Sequence, residues 1–483
     1  MKIALAACPT HSFRAPPLSL PLLKSCLVNK GHDCRVTDIG AELLKGVEVQ
    51  DRNLLLYTAS GFSKDRGAIN AFIGKYRAIV DSAIARILEG NPQVIGFSLY
   101  DTNRIFTEEI VRQIKKTNPG STIVFGGPHA RHLLSDKSQI PDTVDAIIPG
   151  EGEEALPLLL DNLHPSGTTA SPGTWMRHGH ELLWGGNLGK IADLDRLPFP
   201  DFSDLPLEAY LPPLALPSYF GRGCFLKCQF CEEWNTLAGA RRDRSAQRVF
   251  DEVRHLLSSH STVMGIDFHD PLINSDMEIL REFCRLVIAA KASGALPQSF
   301  HWQGQAILRR EMDRDMLSLM HSAGCTRLAF GMESGSDAIL RAMKKTQTIE
   351  TAEGIFRDSS MIGITNCALM MVGYPGETEK DFNDTIYFLK KNAPHISFIS
   401  MVAPSTLVVP GTPIHRSAHI SSGVAPHEWQ SKDGENTYPV RLERFARMCE
   451  AALAAGISLT PSTEQMFAHK DEYLRNYYKT AGL

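Results

Sequence analysis

The sequence predicts an α/β protein. A doubly wound, mostly parallel sheet is expected over residues 1–162, a turn-rich linker over 163–215, six strand–helix repeats over 216–402 and a mainly helical end over 403–483. Three observations carry this. Short β-branched runs alternate with segments whose apolar residues recur at helical spacing, the pattern of parallel sheets with helical crossovers. The rhythm stops where Pro165-Ser-Gly-Thr-Thr169, Ser171-Pro-Gly173, Leu197-Pro-Phe-Pro200 and Leu211-Pro-Pro213 succeed one another. It resumes just before a glycine-rich turn that holds three closely spaced cysteines.

In chain order, Lys2–Ala7 reads as the first strand and Leu18–Asn29 as a helix closed by Gly31; the second strand is 34–38. A less regular region precedes a long helical pattern from Ala68 to Leu88. Strands at 94–99, 122–125 and 145–148 follow, with a helix at 107–116 and another from Gly150-Glu-Gly152 to about Asn162. Ligands of doubly wound sheets bind beyond the strands' C-terminal ends. Four loops are expected there: Pro9–Pro17, Tyr100–Arg104, Gly126–His129 and Gly150–Gly152. In the linker, 174–184 with a turn at Gly179 suits a small hairpin.

The second run places strands at 217–220, 263–268, 299–306, 327–330, 366–372 and 395–402, with helices at 245–259, 275–293, 314–323, 351–362 and 379–391 between them. Gln303 and Gln305, two apart on one strand, face the same side. Beyond 403, Val409–Pro413 is a turn and Arg441–Ala455 a helix; Phe467, Tyr473, Tyr477 and Tyr478 suit packing better than a substrate lid.

At 483 residues, 43% hydrophobic and 22% charged, the composition is that of a soluble globular protein. A net charge of −4 argues against a general polyanion binder, so no nucleic acid is expected. No apolar run reaches the length of a membrane span, and the N-terminal run is too short for a secretory signal. Ten cysteines, seven of them scattered at 8, 26, 34, 284, 325, 367 and 449, suit reduced thiols in a cytoplasm.

Cys224, Cys228 and Cys231 stand at C-x3-C-x2-C spacing within Gly221-Arg-Gly-Cys224 and Phe225-Leu-Lys-Cys228-Gln-Phe-Cys231. Thiolates this close read as metal ligands. Structural zinc wants four closed ligands, usually from two knuckles, and the second knuckle is missing. A 4Fe–4S cluster on three cysteines leaves one iron without a protein ligand. An amine beside a carboxylate chelates such an iron, and S-adenosylmethionine (SAM) carries both. The plainer alternatives are a zinc loop or core cysteines.

The spacing, with aromatic Phe230 before the last cysteine, resembles the signature of the radical SAM superfamily. Six β/α repeats then match that superfamily's partial (β/α)6 barrel. The resemblance implies SAM contacts from Phe230, from Asp270 at the second strand end, Gln303 on the third, Glu333-Ser334-Gly at the fourth and Gly373-Tyr-Pro-Gly-Glu377 at the fifth. For Glu333 the plain alternative is a helix cap; for His269, Asp270 and Gln303 it is a satisfied core hydrogen bond.

The N-terminal pieces Pro16-Pro17-Leu, Lys30-Gly-His32, Ile95-Gly-Phe-Ser98, Gly126-Gly-Pro-His-Ala130 and Gly150-Glu-Gly152 resemble the cobalamin-binding domain that precedes many radical SAM barrels. This Rossmann-like domain implies cobalamin contacts from Tyr100, Asp101, Thr102, Gly126, Gly127, Pro128, His129, Gly150 and Glu151, on a rim turned toward the SAM site. The D-x-H-x-x-G sequence that supplies a cobalt-binding histidine elsewhere is absent, so His129 is read as a loop brace.

Together the resemblances imply an enzyme that cleaves SAM reductively to a 5′-deoxyadenosyl radical and methylates an unactivated carbon with cobalamin. Its partners would be a small-molecule or peptide substrate and a one-electron donor such as flavodoxin or ferredoxin. The alternatives are a cobalamin-free dehydratase, rearranging or cyclising radical SAM enzyme, and a non-catalytic metal-binding protein.

Overall fold

The computed structural model describes residues 1–10, 12–56, 60–163, 171–210, 214–234, 241–409, 411–416, 420–421 and 426–481. His11, the turns expected at 165–169 and 211–213, Pro410 and the side chain of Tyr478 lie outside the described residues. The chain forms two compact units, Met1–Pro217 with His255–Val263, and Ser218–Arg254 with Met264–Leu483.

The first unit is built on a 7-stranded sheet. Its strands are β1 (Lys2–Ala7), β2 (Asp33–Asp38), β3 (Val94–Ser98), β4 (Thr122–Gly126), β5 (Ala146–Ile147), β6 (Trp175–His178) and β7 (Glu181–Trp184), in the order 2-1-3-4-5-6-7. The pairs from β2 to β5 are parallel, and β6 and β7 add antiparallel. Parallel strands covered on both faces need apolar residues at every position, and β3 is buried throughout. The order reverses between β1 and β3, which opens the crevice where doubly wound sheets hold ligands.

Two local expectations are corrected. The helical stretch from Ala68 to Leu88 is two helices, Arg66–Lys75 and Arg77–Ile87, broken at Tyr76. Tyr76 turns its hydroxyl to the Asp51 carboxylate and accepts the Glu48 N–H, a gain the straight helix would forgo. The less regular region contains helix Ile39–Gly46, capped by Asp38, whose side chain accepts the Ala41 N–H. The hairpin expected in the linker is β6–β7, and it extends the first sheet.

The second unit, entered within β8 (Ala215–Ser218), carries the small pair β9 (Gly221–Arg222) and β10 (Arg242–Asp243), then β11 (Gly265–Phe268), β12 (His301–Ala306), β13 (Cys325–Glu333), β14 (Thr365–Met370), β15 (Phe398–Ser400), the small pair β16 (Ile420–Ser421) and β17 (Gln430–Ser431), and β18 (Ser458–Leu459). Its main sheet runs 8-11-12-13-14-15-18, so the six expected strands take their places in sequence order and β18 adds a seventh. The pairs β11–β12, β12–β13, β13–β14, β14–β15 and β15–β18 are parallel. Helices Met277–Ser293, Arg314–Ser322, Ile349–Ile362 and Glu379–Asn392 link them.

Strand alternation sorts the two faces. Trp302 lies against Phe268 and, on helix Met277–Ser293, Phe283, with ring centroids 5.7 and 6.0 Å away. Gln303 and Gln305 therefore point to the opposite, inner face, and Gln305 is exposed there. Beyond the barrel strands, helix Tyr438–Ala454 packs through Phe445 on Phe467 and through Tyr438 on Tyr477, so those C-terminal aromatics serve packing.

Arg244 and Glu252 form an ion pair at 2.7 Å with both side chains 1% exposed. Arg244 also reaches the Ser218 hydroxyl, at 3.1 Å, and the Tyr219 carbonyl, tying the end of β8 to helix Ala246–Ser259. Arg244→Met strands the Glu252 carboxylate and is expected to cost about 3–5 kcal/mol in urea unfolding. Arg244→Met with Glu252→Leu should recover much of that loss. A single-variant cost no larger than a surface substitution's would rule out a structural role for the pair.

Candidate functional site

The cysteine loop begins with glycines because the chain is crowded there. A Cβ on Gly221 would strike the Arg242 carbonyl across the β9–β10 pair, and Gly223 turns at φ +85°. The loop is then fixed from beneath by Asp270, whose side chain is fully buried. One of its oxygens accepts the Phe220 N–H at 2.7 Å; the other accepts the Gly221 N–H at 2.7 Å and meets Arg241 at 3.0 Å. Arg241 also donates to the Gly223 carbonyl at 3.2 Å. Burial pushes the Asp270 carboxyl up, against the pull of Arg241 and the two N–H groups. Asp270, expected from the sequence to touch SAM, thus has both oxygens engaged in holding the loop.

All ten cysteines are free, and those of the loop are buried at 228 and half-buried at 224 and 231. Burial raises all three thiols, Cys231 to about 11. Iron coordination deprotonates such thiols outright. The Cys231 sulfur accepts the Glu233 N–H at 3.4 Å, the kind of bond that steadies a cluster thiolate. Among the described residues no three His, Cys, Asp or Glu side chains are gathered around a single-ion site. Three thiols, one buried and two half-buried, with an N–H donor and a nearby cation fit a 4Fe–4S cluster.

That cation is Lys345. Its ammonium lies 3.1 Å from a Glu333 oxygen, with side-chain exposures of 5% and 13%. Burial opposes the lysine charge, but Glu333 and the cysteines raise it above its ordinary value. Lys345 in turn pulls the Cys228 thiol down, against burial. Glu333 ends β13 at a register shift, with φ +66°, and folds back over Gly331, where a Cβ would lie 2.8 Å from its oxygen. The Gln229 N–H donates to the Met343 carbonyl at 3.0 Å, joining the cysteine loop to the segment that carries Lys345. Sequence reading missed Lys345, since nothing in its neighbourhood marks one lysine of Lys344-Lys345 as buried.

The other SAM candidates are placed differently. Ser334 is fully buried, its hydroxyl 3.2 Å from that of Thr385, so it braces the strand end. Phe230 packs against the apolar group of Ile339, Met343, Tyr374, Val408, Ile414 and Trp429, which brings the cysteine loop beside the turn at the fifth strand. That turn needs Gly373, with φ +70° and no room for a Cβ beside the Arg441 side chain. Glu377 accepts the Gly373 N–H at 2.8 Å and meets Arg444 at 3.1 Å, and burial lifts its carboxyl to about 7. Gln303 sits on the inner face between Asp267 and Arg327 in the strand register. His269, 3.4 Å from Asp267, extends this polar row.

In the first unit, the β1 and β3 loops are joined by a reciprocal pair. The Thr10 hydroxyl donates to the Thr102 carbonyl and the Thr102 hydroxyl to the Thr10 carbonyl, both at 3.0 Å. Asn103 accepts the Tyr100 N–H and donates to the Cys8 and Ser98 carbonyls. Thr10 and Asn103, unremarked in the sequence, set this rim. Gly127, at φ +88°, lies so close to Leu99 that a Cβ would stand 2.8 Å from its backbone N and O. Pro128 opens helix Pro128–Leu133, and the His129 N–H donates to the Leu99 carbonyl at 3.0 Å.

The His129 ring is 3.8 Å from Asp101, which pairs with Lys64. Burial holds the imidazole down at about 4, so it is neutral near pH 7. Tyr100 is 42% exposed beside this group. Glu151 accepts the Ile191 N–H at 3.0 Å. Around Gly126 and Gly150 an added Cβ would meet almost nothing, leaving space for a flat ligand against backbone. The open space at Gly126 and Gly150 suits a large flat ring such as a corrin, while Leu99 fills the corresponding position at Gly127.

Two family models match the chain, the Radical SAM superfamily over residues 218–389 and the B12 binding domain over residues 10–160. It is 25% identical over 404 residues to cytidylyl-2-hydroxyethylphosphonate methyltransferase of Streptomyces wedmorensis, covering 74% of this chain and 69% of that protein. It is also 25% identical over 335 residues to the anaerobic magnesium-protoporphyrin IX monomethyl ester cyclase of Cereibacter sphaeroides, covering 66% and 52%. The fold is similar to that of the radical SAM methyltransferase TsrM of Kitasatospora setae, solved with tryptophan substrate and the SAM analogue aza-SAM. The TM-score is 0.65 at 14% identity, over 98% of this chain and 99% of that one. It is similar too to the cobalamin-dependent SAM radical enzyme OxsB with aqua-cobalamin and SAM bound, with a TM-score of 0.62 at 15% identity over 86% and 60%. Among the described residues no helix is long and apolar enough to cross a membrane. The cofactors these two domains serve are a 4Fe–4S cluster, SAM and cobalamin. With both domains in one chain, each on the sheet expected of it, the protein belongs to the cobalamin-binding-domain-containing radical SAM enzymes.

Proposed function

We propose that the protein is a cobalamin-dependent radical SAM methyltransferase acting on an unactivated carbon of a small polar molecule in the cytoplasm, with flavodoxin or ferredoxin as electron donor. The observation that carries this reading is the pairing of a three-cysteine loop held over a parallel barrel sheet with a glycine-lined rim on a 2-1-3-4-5 sheet. When bound, the cluster supplies the electron that splits SAM to methionine and a 5′-deoxyadenosyl radical, and cobalamin supplies the methyl carrier. The boundaries 1–162, 163–215, 216–402 and 403–483 belong to the same proposal.

The chain's own residues divide the work. Cys224, Cys228 and Cys231 would hold the cluster through three thiolates, a ligand set that would let SAM reach it. Glu333 takes the SAM ribose or methionine amine by a charge-assisted bond, and the Gly373–Glu377 turn offers backbone to the adenine. The inner row of Asp267, His269, Gln303, Gln305 and Arg327 binds a substrate through hydrogen bonds and charge, which disfavours a purely lipidic one. Tyr100, Asp101, Gly126, Gly127 and Gly150 line the corrin, and His129 stays a brace.

A second reading, radical cyclisation without methyl transfer, is favoured by one observation, the likeness to the Cereibacter sphaeroides cyclase. Anaerobic incubation of reconstituted protein with SAM, cobalamin and a strong reductant separates the two. Methylcobalamin formed from SAM together with 5′-deoxyadenosine is expected; 5′-deoxyadenosine with no retained corrinoid would favour the second reading.

Replacing any one of Cys224, Cys228 or Cys231 with alanine should remove the cluster iron and abolish 5′-deoxyadenosine formation. Full iron content in all three variants would sink the ligand assignment. Glu333→Gln is expected to weaken SAM binding by about 1.5–3 kcal/mol at unchanged iron content, and unchanged affinity would return Glu333 to a structural role. The electron paramagnetic resonance spectrum of the cob(II)alamin form should lack nitrogen superhyperfine splitting from a protein imidazole. Triplet splitting that vanishes in His129→Ala would overturn the brace assignment.

A further inference from the structure

We infer that Lys345 is the electrostatic counterweight of the cluster site: a buried cation that positions Glu333 and sets the potential at which the cluster takes its electron. The inference rests on the proposed radical SAM reading and adds a residue to it.

Lys345 combines three properties that a surface lysine lacks. Its side chain is 5% exposed, so its charge is not diluted by solvent. Its ammonium meets a single Glu333 oxygen at 3.1 Å, which leaves the other oxygen of that carboxylate for a ligand. It is also carried on a segment tied to the cysteine loop, through the Gln229 N–H to the Met343 carbonyl at 3.0 Å.

The backbone is bent to produce this arrangement. Glu333 at φ +66° and Lys344 at φ +58° are two of three non-glycine residues with positive φ among those described, and they bracket the segment joining the two charges. Such conformations persist only where the surroundings hold them, and they gather at functional sites. Gly331 supplies the space, since a Cβ there would stand 2.8 Å from the Glu333 oxygen and 2.9 Å from the Lys345 ammonium. A packing role alone would not need a paired charge folded over a glycine against the cysteine loop.

Reduction adds one negative charge to the cluster. A nearby buried cation favours the reduced state and a nearby buried anion opposes it. Lys345→Met should therefore shift the midpoint potential of the SAM-free cluster to more negative values, and Glu333→Gln to more positive values. The double variant should return close to the wild-type potential, and Lys345→Arg should hold it. The measurement is a redox titration followed by electron paramagnetic resonance on anaerobically reconstituted full-length protein, with iron and sulfide counted in each variant. Opposite shifts that cancel in the double variant support the inference. Equal potentials in all variants, or shifts of the same sign in both single variants, overturn it. If Lys345→Met cannot hold a cluster, the Glu333→Gln and Lys345→Arg arms still decide, because Glu333→Gln must move the potential upward and Lys345→Arg must not move it. A wild-type chain that assembles no 4Fe–4S cluster would instead refute the radical SAM reading itself.

Discussion

A buried carboxylate with no direct part in the chemistry is what the second unit's site depends on. The cysteine loop is glycine-rich and leaves the sheet between β8 and β11, so little in its own backbone would hold three sulfurs in one arrangement. Asp270 supplies the missing constraint by accepting two successive N–H groups, from Phe220 and Gly221, and binding Arg241, which reaches back to the Gly223 carbonyl. A carboxylate taken out of water is costly unless its lone pairs are filled. Here three donors fill them, and the loop start becomes part of the core. Phe230 fixes the other end by packing into the apolar group around Trp429.

From that anchor the other strand ends follow in order. β13 ends in Glu333, folded back over Gly331, and β14 ends in the Gly373 turn, wedged by Arg441 and braced by Glu377. Arg441 is itself fully buried, donating to the His427, Trp429 and Asn436 carbonyls and stacked 3.9 Å from the Trp429 ring centroid. So the C-terminal helix, which reads as mere packing, reaches the site through Arg441 and Arg444. Desolvation lowers the Arg441 guanidinium to about 9 and lifts Glu377 to about 7. These opposed shifts are the cost of building a rigid turn from charged groups away from water.

What the sequence made legible follows from how far each signal reaches. Strand–helix alternation is local, so both sheets and the six successive barrel strands could be read directly. The three cysteines could be read because spacing alone identifies them. The break at Tyr76 could not, because it depends on Glu48 and Asp51, which lie more than twenty residues away. The roles of Asp270, Ser334 and Glu151 are non-local in the same way. Each is polar and sits at a strand end, as a ligand-binding residue would, but Phe220, Thr385 and Ile191 claim them first. Lys345 is the converse case, an ordinary-looking lysine whose burial is created by a strand bulge twelve positions earlier.

The two rims solve different problems with different chemistry. A corrin ring is large and flat, and its edge bears amide arms, so it is held by shape and backbone contact. The first unit accordingly binds its own loops with neutral groups, the Thr10–Thr102 exchange and the Asn103 bridge, and keeps side chains away from Gly126 and Gly150. A cluster that changes charge, beside a sulfonium, needs compensating charges held still, and the second unit provides buried carboxylates and cations at the ends of β11, β13 and β14. The charged trio of Lys64, Asp101 and His129 is the exception on the first rim. Its imidazole is kept neutral by burial and lies 3.8 Å from Asp101, so the trio is a braced edge of the rim. Ion pairs thus brace the strand ends around the cysteine loop, and backbone and hydroxyl bonds brace most of the first rim.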